Sequence, residues 1–222
     1  RAPQPIIEGF QNCVDHGIFG YTDLNEAFYD GFISWMKRKH AAVVKKEEIL
    51  FCPRINISSS VCVETFTQPG DSVIINTPAY GPLYNAIVKN NRDVLESRLI
   101  LENDRYQIDL DHLEEIITPN TKMLILCSPH NPVGRVWTKE ELTEIGEFCL
   151  KHQLILFADE IHGDITAPGV NFISTLSLKE EIRQLLVVAA SPTKTFNIPG
   201  VILSYLVIPN SELRKKTQDD ID

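Results

Sequence analysis

Lys122-Met-Leu-Ile-Leu-Cys127-Ser-Pro-His-Asn-Pro-Val-Gly134 begins a unit that closes at Leu154-Ile-Leu-Phe-Ala158, with Thr138-Lys-Glu-Glu141 between them. Both apolar runs are continuous rather than alternating. A strand reads this way when both of its faces are covered, the situation in parallel sheets. Thr138 and Glu141 form a capping box, so a helix starts there and runs to about Lys151. Strand, helix, strand in this order is a parallel crossover unit.

The same grammar extends outward. Ser72-Val-Ile-Ile-Asn76 is a buried strand opened by the turn Pro69-Gly70-Asp71. Residues 80–90 read as a helix, 93–101 as a strand and 109–117 as a helix with Asp109 near its cap. Leu185-Leu-Val-Val-Ala-Ala190 and residues 201–208 supply two further strands. The expected fold is α/β, a three-layer αβα sandwich around a mostly parallel sheet, with residues 1–222 as one domain. No internal repeat or low-complexity linker interrupts it.

Net charge is −9, which disfavours non-specific binding to nucleic acid or anionic lipid. No apolar run approaches the ~18 residues a membrane span requires, and no signal-like segment follows Arg1. The five cysteines are odd in number and lack C-x-x-C pairing. Reduced thiols in a cytoplasmic protein are therefore expected, rather than disulfides or a zinc site. Asn56-Ile57-Ser58 matches a glycosylation acceptor and reads as chance without a secretion signal.

Ligands of open parallel sheets sit beyond the carboxyl ends of the strands. Those ends carry Thr77-Pro-Ala-Tyr80, Ser128-Pro-His-Asn131, Asp159-Glu-Ile-His162 and Ser191-Pro-Thr-Lys194. Tyr80, Asn131, Asp159, His162, Ser191 and Lys194 are thus expected on one rim. Dinucleotide, P-loop and nucleophile-elbow motifs are missing. Asp159, Glu160, His162 and Asp164 could also be read as a metal cluster, but no second group has metal-site spacing. Glu160 reads as an ordinary polar neighbour and His130 as a loop-shaping residue. His16, His40, His112 and His152 read as surface, and Cys127 as inert core.

Three blocks carry a resemblance: Ser128-Pro-His-Asn-Pro-Val-Gly-Arg-Val-Trp-Thr-Lys-Glu-Glu-Leu142, Asp159-Glu-Ile-His162 and Ser191-Pro-Thr-Lys-Thr-Phe-Asn-Ile-Pro-Gly200. Together they resemble the fold-type I pyridoxal 5′-phosphate (PLP) enzymes of the class I/II aminotransferase superfamily. More closely they resemble its cystathionine β-lyase-like (C–S lyase) branch, as do Ala2-Pro-Gln-Pro-Ile-Ile7 and Gly17-Ile-Phe-Gly-Tyr-Thr22. The resemblance covers essentially the whole chain.

It implies PLP as cofactor. Lys194 would form the Schiff base and move the substrate Cα proton, as a lysine in a partly desolvated pocket can. Asp159 would face the ring nitrogen and keep it protonated. Asn131 and His162 would serve the ring oxygen. Tyr80 would stack on the ring. Ser191, with Ile55 and Asn56 in the turn Arg54-Ile-Asn-Ile-Ser58 that opens an apolar helix, would hold the phosphate. Tyr21 would reach the phosphate or substrate of a neighbouring subunit, making the active unit a homodimer.

The family commonly carries glycine where Arg54 stands; the arginine could crowd the phosphate turn, face solvent or pair with the phosphate. Family members also have an N-terminal segment ahead of Arg1 and a small C-terminal domain after Asp222, which normally carries the arginine that grips the substrate carboxylate. The chain is therefore expected to be an incomplete large domain with little turnover alone. The expected activity is C–S β-lysis of cystathionine or related cysteine S-conjugates. An aminotransferase shares every named residue, and a non-catalytic fragment or regulatory domain is the third possibility.

Overall fold

The computed structural model describes residues 1–21 and 23–221; Thr22, which ends one of the blocks quoted above, lies outside them. The chain begins with helices α1 (Gln4–His16) and α2 (Glu26–His40). Strand β1 (Ile49–Cys52), α3 (Ile55–Phe66), β2 (Ser72–Thr77), α4 (Gly81–Lys89) and β3 (Asp93–Arg98) follow. Next come β4 (Ile100–Glu102), β5 (Arg105–Gln107), α5 (Leu110–Ile116), β6 (Thr121–Cys127) and α6 (Lys139–His152). The remainder is β7 (Ile155–Asp159), α7 (Glu180–Arg183), β8 (Leu186–Ala190), α8 (Pro192–Thr195), β9 (Ser204–Val207) and α9 (Ser211–Ile221).

Seven strands form one sheet in the order β1-β9-β8-β7-β6-β2-β3. All neighbours from β8 to β3 are parallel, and β9 alone runs against them, pairing antiparallel with both β8 and β1. Alternate residues of the central strands enter two cores. Ile74, Leu124, Leu126 and Leu156 face the layer built by α2, α5, α6 and α7. Val73, Ile75, Met123, Ile125 and Phe157 face α3, α4 and α9. Burial on both faces is why these strands read as unbroken apolar runs.

From β2 the chain steps outward to β3, then returns to the other side of β2 and proceeds through β6, β7 and β8. The order reverses between β2 and β6, which opens a crevice at their carboxyl ends.

The capping box of α6 forms as expected: Glu141 N–H donates to Thr138 Oγ1 at 3.2 Å, and Thr138 N–H donates to Glu141 Oε2 at 2.7 Å. Asp109 caps α5 by accepting from His112 N–H. Two expectations are corrected. The single strand over 93–101 is two strands, β3 and β4, interrupted at Leu99; Asn103 and Asp104, both with positive φ, fold β4 back onto β5 in a separate two-stranded ribbon. The last strand begins only at Ser204, which frees Val201 and Leu203 to line a cavity. Strand β1 and helices α1 and α2 were not anticipated.

Candidate active site

A cavity of about 210 Å³ lies at the carboxyl ends of β6, β7 and β8. Tyr80, Asn131, Asp159, His162, Ser191 and Lys194 all line it, together with Ile55 and Asn56. Every expected residue but Tyr21 is therefore brought together by separate segments of chain. Tyr21 is fully exposed and does not line this cavity.

Asp159 ends β7 and is only 3 % exposed. Its Oδ1 accepts from Ile161 N–H at 3.1 Å. Burial pushes its carboxyl up to about 7, with Glu160 adding to the rise, while the Ile161 bond and the Lys194 ammonium oppose it. His162 is held below the usual imidazole range, first by burial and then by Lys194. The Lys194 charge thus acts on both Asp159 and His162, as one shared cavity requires. Lys194 itself lines the cavity and is exposed, on the four-residue helix α8.

The first turn of α3 presents Ile55 and Asn56 to the cavity. Arg54 O accepts from the amides three and four residues on, Ile57 and Ser58, at 2.9 Å each. An electropositive wall of this kind, with first-turn N–H groups and the positive end of a helix dipole, suits an anion. Arg54 is exposed and lines the same mouth, so its charge adds to that wall. Ser191 caps α8: its Oγ accepts from Thr193 N–H at 3.2 Å and donates to Leu203 O at 2.7 Å. Its hydroxyl proton is therefore directed at Leu203, and donation to a phosphate requires the hydroxyl to turn. Asn131 N–H donates to Cys127 Sγ at 3.4 Å, which ties the Asn131 loop to the end of β6. Cys127 is buried as expected, and burial raises its thiol pKa, yet it also lines the cavity beside Asp159.

Two acidic neighbours take other directions. Glu160 is buried and accepts from Ser174 Oγ, Thr175 N–H and Thr175 Oγ1, each at 2.7 Å. It is a structural tie rather than an ordinary polar neighbour. Asp164 turns toward α2 and Thr195. His40, expected at the surface, has an 8 % exposed side chain and contacts Asp164 at 2.9 Å. His130 shapes its loop as expected, with Nε2 2.9 Å from Pro78 O.

The raised Asp159 pKa gives a pH prediction for the cofactor-free chain. Between about pH 4 and 7 the folded state holds a proton that the unfolded state has released, so folding stability falls as pH rises through this window. Glu160, also raised by burial, has the same sign. Denaturant titrations across the window should show that decline, and Asp159→Asn should flatten it. An unchanged slope in the asparagine variant would contradict the assignment.

The family model for aminotransferases of class I and II matches residues 6–220, and the chain belongs to that family. It is 39 % identical to cystathionine beta-lyase PatB of Bacillus subtilis, an alignment covering 97 % of this chain and 56 % of that protein. It is 28 % identical to an aspartate aminotransferase of Geobacillus stearothermophilus, covering 98 % of this chain and 56 % of that enzyme. Cystalysin of Treponema denticola, solved with a pyridoxal 5′-phosphate cofactor, superimposes with a TM-score of 0.96 at 36 % identity. That superposition covers 99 % of this chain and 56 % of cystalysin. The chain spans about half the length of the curated relatives it matches. Among the described residues, no helix is long and apolar enough to cross a membrane.

Proposed function

We propose that this chain is the cofactor-binding part of a PLP-dependent C–S β-lyase, which converts cystathionine or a related cysteine S-conjugate to pyruvate, ammonia and a thiol. The cofactor part of this reading rests on the single cavity joining Lys194, Asp159, Asn131 and His162 to the first turn of α3, and its lyase part on the 39 % identity to cystathionine beta-lyase PatB. The donor set fits PLP: one amine, one buried carboxylate, hydrogen-bonding groups for a ring oxygen, an aromatic face and an anion wall.

When bound, PLP supplies a ring that accepts the electron pair left at the substrate Cα. Lys194 Nζ would hold the cofactor through its aldehyde carbon and would take the substrate Cα proton once freed. Asp159 would serve the ring nitrogen as a carboxylate. Asn131 and His162 would offer hydrogen bonds to the ring oxygen, Tyr80 an aromatic face, and the α3 turn with Ser191 a site for the phosphate. That chemistry would let the Cβ–S bond break with the sulfur leaving as thiolate. Water consumed in the later hydrolysis gives pyruvate and ammonia.

The proposed active unit is a cytoplasmic homodimer. Ile7, Phe10 and Val14 on α1, with Phe19 and Tyr21 beyond it, are exposed and form an apolar arm suited to a second subunit. Tyr21 would meet the neighbour's site from that arm. The likeness to an aspartate aminotransferase supports a second reading, transamination by the same residues.

Incubating the full-length protein with PLP and cystathionine separates the two. Lysis releases pyruvate, ammonia and thiol without any keto acid. Turnover that appears only after a keto acid is added overturns the lyase reading.

A further inference from the structure

Lys194 sits on a helix too short to hold its own geometry. A four-residue helix gains little from internal bonding. Behind it, toward α2, packing is incomplete: a cavity of about 290 Å³ separates Phe28 and Phe32 of α2 from Pro192 and Phe196 beside the lysine. Beyond the Ser191–Leu203 bond at its start, the lysine turn needs a tie on the α2 side other than close packing.

Asp164 provides it. Thr195 Oγ1 donates to Asp164 Oδ2 at 2.7 Å. Trp35 Nε1–H, on α2, donates to the same carboxylate at 2.9 and 3.1 Å, and His40 Nε2 lies 2.9 Å from Oδ1. The Trp35 indole also meets the Phe196 ring edge-on at 5.4 Å. Asp164 is therefore the knot between α2 and the lysine turn, and its side chain is only 18 % exposed. Burial alone would raise its carboxyl pKa, but the bonds from His40, Thr195 and Trp35 hold it below the usual range.

The spacing gives this knot a function. Asp164 follows His162 by two residues, and Thr195 follows Lys194 by one. The turn between His162 and Asp164 is itself pinned, because a Cβ at Gly163 would stand 2.8 Å from the Phe172 ring. We propose that Asp164 and Thr195 are positioning residues: their hydrogen bond fixes the distance between His162 and Lys194 across the mouth of the cavity. This rests on the PLP reading above. A side chain that must meet the same atom repeatedly loses rate when its support loosens.

The test uses the full chain with PLP as the probe. Thr195→Val keeps the side-chain shape and removes the O–H; Thr195→Ser restores it. Two quantities are measured: the rate at which borohydride fixes PLP on Lys194, followed by mass, and hydrogen exchange of amides 194–198 in the cofactor-free protein. Loss of a hydrogen bond to a charged acceptor should slow fixation roughly tenfold in the valine variant and speed exchange, with the serine variant within about twofold of the unaltered chain. The clamp is overturned if the valine variant matches the unaltered chain in fixation, or if serine fails to restore it. If the unaltered chain fixes no PLP on Lys194, the cofactor reading falls. Exchange then decides the clamp alone: faster in valine than in serine supports it, and equal rates overturn it.

Discussion

Lys194→Ala is expected to abolish covalent uptake of PLP and to lower β-lyase turnover by roughly 10³-fold or more, the scale of losing a general acid–base group together with a nucleophile. Among the residues lining the cavity, Lys194 is the one primary amine. Arg54, the other cation at the mouth, is a guanidinium that stays protonated and cannot take its place. Lys194→Arg should therefore fail as completely as alanine while keeping the charge that acts on Asp159 and His162. Intact mass after borohydride reduction, with pyruvate release in parallel, reads both effects. Uptake of one PLP per chain by the alanine variant would contradict the assignment.

Asp159→Asn is expected to leave PLP on Lys194 but to lower turnover by roughly 10²–10³-fold, as when a preorganised electrostatic partner is removed. The carboxyl is buried and, without cofactor, pushed up to about 7. A protonated ring nitrogen beside it reverses that preference, because an opposite charge at short range favours the ionised acid. Asparagine is isosteric but cannot carry the charge, so the ring nitrogen loses its reason to stay protonated. The readout is kcat at saturating cystathionine in a variant whose PLP content is confirmed by mass. Activity within a factor of three of the unaltered protein would exclude the role.

Much of this site could be read from strand ends alone. Apolar runs over β2, β6, β7 and β8 mark strands covered on both faces, and the polar residues just after them must then share one rim. Tyr80, Asn131, Asp159, His162 and Lys194 follow such strand ends, and they line one cavity. A decisive contact that is remote in sequence is not legible in this way. His40 and Trp35 lie on α2, more than a hundred residues from Asp164, and nothing local distinguishes them from surface residues. Their signal was the apolar spacing of Phe28, Phe32 and Met36, which reveals a helix with one face buried on the sheet. Glu160 reads as non-catalytic and does not line this cavity, but its structural role is not legible locally, because its partners Ser174 and Thr175 come from a later segment. The hairpin joining β4 to β5 was legible in principle, since Asn103-Asp104 is a turn signal.

Lys194 and Asp159, two groups from different strand ends, must meet one cofactor. A crystal structure of the full-length protein soaked with PLP tests this directly. Continuous density from Lys194 Nζ to the aldehyde carbon, with an Asp159 carboxylate oxygen at hydrogen-bond distance from the ring nitrogen, is the predicted result. Cofactor bound through another lysine, or with its ring nitrogen turned away from Asp159, would contradict it.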